Sequence, residues 1–184
     1  GRVVPRALLT IGVVAFFIAG YFGVGHYVDP AKARDLGTAL DRLIPFIAAS
    51  VWVYLWVFPA SLRPLFVVRC PQLFRRTLLA YGLAIAASLM VFVAFPVTSL
   101  ALRADRGALD VTRISPWAVA QLYRLDPPVN LFPSLHLSIA ALAALASWKA
   151  RRSYGAAAGV GVALIAVSIC TVKQHFVLDG LGGA

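Results

Sequence analysis

The chain has 184 residues, 61% of them hydrophobic and only 13% charged, against about 45–50% and about 25% in an ordinary soluble domain. That balance excludes a conventional water-soluble fold. The formal charge of +10 suggests nucleic acid, but the cations cluster at the ends of apolar stretches and no basic, aromatic-interleaved patch occurs, so no nucleic-acid partner is expected.

Stretches without Asp, Lys or Arg run Ala7–Val28, Leu43–Leu62, Thr77–Leu102, Pro127–Trp148 and Ser153–Val172, each at least 20 residues long. About 20 apolar residues cross the ~30 Å hydrocarbon layer as a helix. The first, preceded by Arg2 and Arg6, is longer than a signal-peptide core and has no small-x-small cleavage site, so it is a helix of the protein. Trp52, Tyr54 and Trp56 alternate in the second and read as packing and belt residues. The long third gap, Ser99–Asn130, carries Ser115-Pro116, a helix start with Ser115 as N-cap, then Trp117 and Tyr123, which marks a short interfacial helix. Gly155, Gly159 and Gly161 in the fifth span suit close helix packing in lipid. A sixth span begins near His175 and is cut off at Ala184. The expectation is an all-α, polytopic membrane bundle of about six helices forming one domain over 1–184, a fragment of a longer chain.

Arg2, Arg6, Arg63, Arg69, Arg75, Arg76, Lys149, Arg151 and Arg152 lie in short segments free of acids, whereas all seven acidic residues lie in the other gaps. Dense Lys and Arg mark the cytoplasmic side. The N-terminus is thus expected inside, in a plasma or inner membrane, with the first, third and fifth gaps outside. Cys70 and Cys170 fall in a cytoplasmic gap and within a span, which gives neither a disulfide framework nor metal-ligand spacing.

Chemistry concentrates at the outer ends of spans four to six. There the sequence reads Asn130-Leu-Phe-Pro133-Ser134-Leu135-His136 and, further on, Lys173-Gln174-His175-Phe-Val-Leu-Asp179. Ionisable groups at a span end are costly if desolvated, so a Lys, two His and an Asp converging there point to function. The four-residue spacing of His175 and Asp179 places them on one face of a helix, so that the carboxylate can hold one ring nitrogen and leave the other free as nucleophile or base. His136 on the same rim allows a division between nucleophile and general acid.

Pro133-Ser134-Leu135-His136 and His175-x-x-x-Asp179 resemble the second and third motifs of the type-2 phosphatidic acid phosphatase superfamily. Phe-Pro-Ser-Leu-His, Lys-Gln-His and Asp41-x-x-Ile44-Pro45-Phe46 resemble its inositol phosphorylceramide synthase-like branch. The resemblance implies metal-independent phosphoryl transfer: His175 as the nucleophile forming a phosphohistidine, Asp179 orienting it, His136 as the acid, and Ser134 on the phosphate oxygens. No acidic cluster offers a cage for a divalent cation, and no cofactor is expected. The chain departs from the family pattern in having Leu135 in place of Gly, and Ile169 where an Arg precedes the third-motif histidine. Lys173 is the nearest replacement cation. The first motif is not intact: Arg63-Pro64 copies its end but lies across the bilayer, so Arg103 is the candidate clamp. The expected partner is a phospholipid or polyprenyl phosphate within the bilayer. Hydrolysis, transfer of the phosphoryl unit to an alcohol, and a non-catalytic protein with a degenerate site remain open, as does the oligomeric state.

Overall fold

The structure, a computed structural model, describes residues 5–184; Arg2, counted above, lies outside them. Its helices are α1 (Arg6–Tyr27), α2 (Ala39–Leu43), α3 (Val51–Leu55), α4 (Val57–Val67), α5 (Pro71–Ala94), α6 (Ile114–Leu125), α7 (Leu135–Ala150), α8 (Arg152–Thr171) and α9 (Val177–Gly183). The protein is an all-α bundle. Among the described residues α1, the bent stretch Ala48–Val67, α5 and α8 are long and apolar enough to cross a membrane; α7 is a shorter apolar helix.

Charge-free stretches and helices do not coincide. Pro71 opens α5 because its missing N–H would be unsatisfied there anyway, which carries Arg75 and Arg76 into the helix. Phe95 ends it, just before Pro96. Pro59 cannot donate to Leu55, so the second span breaks at Trp56, where the Trp56 N–H turns to the Val53 carbonyl (3.2 Å). The interfacial helix α6 exists, but its N-cap is Arg113, not Ser115. The Ser115 hydroxyl instead accepts from Trp52 Nε1 (3.0 Å).

Helices α7 and α8 form an antiparallel hairpin. A Cβ on Gly155 would lie 2.3 Å from Trp148 Cα, so the backbones meet there. Gly159 and Gly161, expected to share that duty, face open space, because they lie off the face of α8 that buries Gly155, Ala158, Ile165 and Ile169. Arg6 donates to the carbonyls of Val68 (2.7 Å) and Arg69, and Phe74 packs with Ala146. The start of α1, the α4–α5 turn and the end of α7 therefore share one end of the bundle. At the opposite end the first and third gaps and the entry to α7 are laced by parallel bridges, Arg34 to Val97 and Val97 to Asn130.

Candidate active site

The laced end holds the histidines. Ser134 is the N-cap of α7, which puts His136 in the first turn, where backbone N–H groups have no intrahelical partner. The Ser134 hydroxyl makes no capping bond and is buried without a protein partner. Helix α8 stops because Lys173 takes a left-handed conformation (φ 57°), and the N–H groups of Gln174 (3.1 Å) and His175 (3.0 Å) turn back to the Ile169 carbonyl.

His175 precedes α9, so it does not share a helical face with Asp179 as its spacing suggests. The two meet because Asp179 folds back over the start of α9. Its Oδ2 accepts from the Phe176 N–H (2.9 Å) and lies 3.4 Å from His175 Nδ1. The last contact is loose for a hydrogen bond. The rings of His136 and His175 stand 5.7 Å apart, edge to face. The Ser134 N–H donates to the Asp179 carbonyl (2.9 Å), which ties the two motifs together. A Cβ on Gly183 would meet the Ser134 carbonyl at 2.3 Å, so α9 lies directly on that loop.

The triplet Lys173-Gln174-His175 sends each side chain to a different segment. Lys173 Nζ donates to the carbonyls of Asp41 (2.7 Å) and Ile44 (2.5 Å), the residues singled out before the second span. Val177 N–H donates to Asp41 Oδ1 (2.8 Å), a second clasp between the same segments. Gln174 Nε2 donates to Asp126 Oδ2. Lys173 therefore does not present its ammonium to the histidines. Arg103 donates through Nη1 to the Tyr123 carbonyl (2.9 Å) and through Nη2 to the Asp126 carbonyl (3.0 Å), leaving Nε buried and without a partner. Arg63-Pro64 lies in the last turns of α4, at the opposite end.

Asp126 is the centre that the sequence did not reveal. Its carboxylate accepts from Tyr21 Oη (2.7 Å), and Tyr54 Oη lies 3.4 Å from both Asp126 Oδ2 and His136 Nε2. Trp52 and Trp56 are exposed as belt residues should be, but Tyr54 is turned inward onto His136. The signal was available in part: Asp126 is an acid at the end of a segment that closes on the first histidine motif.

Two buried histidines and a buried carboxylate thus share one end of the apolar bundle. The family described as the PAP2 superfamily matches residues 37–184, and the chain belongs to that superfamily. Members are phosphatases or related phosphoryl-transfer enzymes, and membership suggests such activity on lipid-like phosphates. No curated protein and no solved structure matches the chain.

Proposed function

We propose that the protein hydrolyses a lipid phosphate through a phosphohistidine on His175. The observation that carries this reading is the His136–His175 pair, 5.7 Å apart, with Asp179 behind His175 Nδ1. Reacting atoms in a near-attack arrangement are about 3–3.5 Å apart, so one phosphoryl group can touch a nitrogen of each ring. Asp179 holds the Nδ1 proton, which leaves Nε2 with its lone pair. Nε2 attacks phosphorus, the P–O bond to the lipid breaks, and His136 gives its proton to the leaving alkoxide. Water then attacks the phosphohistidine, His136 takes the water's proton, and the P–N bond breaks to release phosphate. The Ser134 hydroxyl and Arg103 Nε, both buried and unpartnered, are the groups offered to the phosphate oxygens.

A second reading has its own support. An open cleft of about 690 Å³, lined by His26, Arg103, Asp105, Arg124 and Asp126, adjoins the site. Its mixed polar lining suits a hydroxylated acceptor, as in the inositol phosphorylceramide synthase-like branch. In that case an alcohol, not water, takes the phosphoryl unit.

Purified protein offered phosphatidic acid, undecaprenyl diphosphate and phosphatidylinositol, with and without alcohol acceptors and in excess chelator, tests both. Release of phosphate or transfer, with an acid-labile phosphoenzyme lost in His175→Ala, is the expected result. Wild-type turnover by His175→Ala, or a strict need for divalent metal, overturns the mechanism. No turnover on any substrate points to a degenerate site.

A further inference from the structure

A cavity of about 390 Å³ runs between α1, α4, α5 and α7, and its polar end is His136 with Tyr21 and Asp126. Its other walls are almost wholly hydrocarbon. On α1 the lining residues recur as Thr10, Val14, Ile18 and their neighbours, the three- and four-residue spacing of one helical stripe. Phe22 and Phe58 line the gap between α1 and α4 and are both about half exposed, so the cavity opens sideways where lipid would lie. We infer that this cavity holds one acyl-length hydrocarbon chain of the phosphate-bearing substrate, with α1 as the wall that selects its length.

The inference rests on the lipid-phosphate reading of the histidine site and adds where the substrate's chain goes. From Thr10 to Phe22 the α1 stripe rises about 18 Å at ~1.5 Å per residue. That is slightly more than half of the ~30 Å hydrocarbon layer. A chain anchored at His136 by its phosphate therefore runs inward along α1 and ends near Thr10 and Phe74, where Arg6 covers the Phe74 ring at 5.0 Å. A long polyprenyl chain would leave most of its length outside. Lipid tails are as apolar as the lining, so moving a chain from bilayer to cavity gives little affinity; what the cavity supplies is position, holding the phosphorus against the histidines. Helix α1 lies wholly outside the residues that match the superfamily.

The test uses the full chain in detergent micelles. Val14→Trp and Ile18→Trp fill the cavity; Ile11→Trp, on the exposed face of α1 and not in the lining, is the control. Each is assayed on a homologous series from butyl to hexadecyl phosphate, with undecaprenyl phosphate as a further substrate. Expected is a loss on the order of 10²-fold in kcat/KM for hexadecyl phosphate in the filled variants, with butyl phosphate unchanged and the control like wild type. Equal losses on short and long chains, or no loss on long ones, overturn the inference while leaving the phosphatase reading intact. So does a preference for undecaprenyl phosphate that the filled variants do not alter. Binding is read separately in His175→Ala with a phosphatidic acid carrying a diazirine near one chain end. Label concentrated in residues 10–18 and lost in an added Ile18→Trp supports the cavity even without turnover. Label spread evenly over the lipid-facing helices overturns it, whereas a wild type inactive on every substrate removes the phosphatase reading alone.

Discussion

Lys173 sits beside the site but points away from it. Its ammonium bonds two carbonyls of the segment before the second span, and hydrogen bonds to a charged group are worth about 1.5–3 kcal/mol each. Lys173→Met should lower the melting temperature in detergent with little change in KM. A lysine that bound substrate phosphate would give the reverse, a kinetic defect in a protein of unaltered stability. Asp41 is the other half of that clasp. Burial works against its charged form, but the bonds from Thr38 and Val177, helped by the nearby Lys173 charge, outweigh it and hold the carboxyl below its usual value. A carboxyl lower in the folded state than its unfolded value of about 3.9 stabilises fully above that pH and loses the contribution as pH falls through the folded value. Asp41→Asn should therefore be less stable than wild type at neutral pH, and the two melting curves should converge as acidification goes below the unfolded value of about 3.9.

Among the helices, the α7–α8 hairpin depends on one small residue. A Cβ at Gly155 meets backbone, which cannot swing aside as a side chain tip can. Gly155→Val should cost about 1–3 kcal/mol, the usual range for overpacking, whereas Gly159→Ala, with nothing within 4 Å, should leave the melting temperature no lower, since Ala is the better helix former. The sequence showed the three glycines but not which one the crossing uses, since that depends on which face of α8 meets α7. It likewise placed the interfacial helix but misread its start. Ser115 has the chemistry of an N-cap, yet the helix begins before it and Trp52 takes its hydroxyl. The two histidine motifs and Asp179 were legible because each is a local cluster of polar residues in an apolar chain. Asp126 was not: its donors Tyr21, Tyr54 and Gln174 lie 105, 72 and 48 positions away, and no periodicity encodes such distances.

Over the whole molecule, the acid-free basic segments that fall in described residues gather at the end opposite the histidines. By the distribution of Lys and Arg we expect that end to face the cytoplasm. Cys70, exposed at the N-cap of α5, reports on it. The N–H groups of Leu73 and Gln72 hold its thiol below the ordinary value, which favours the reactive thiolate. In a Cys170→Ser protein, an impermeant maleimide should label Cys70 in inside-out vesicles and not in sealed cells. Labelling from outside would invert the orientation and move the histidines to the cytoplasmic face.

The clasp around Asp41, Ser134 and Asp126 also sets a schedule. Asp41 accepts from Lys173 and Val177, the Ser134 N–H donates to the Asp179 carbonyl, and Gln174 is one of the donors to Asp126. Synthesis runs from the N-terminus, so these partners leave the ribosome after everything they organise. His136 therefore reaches the bilayer before the geometry that would make it an acid exists. On the proposed chemistry a nascent chain is silent among its own substrates until residue 179 has emerged, and competence waits on that last partner.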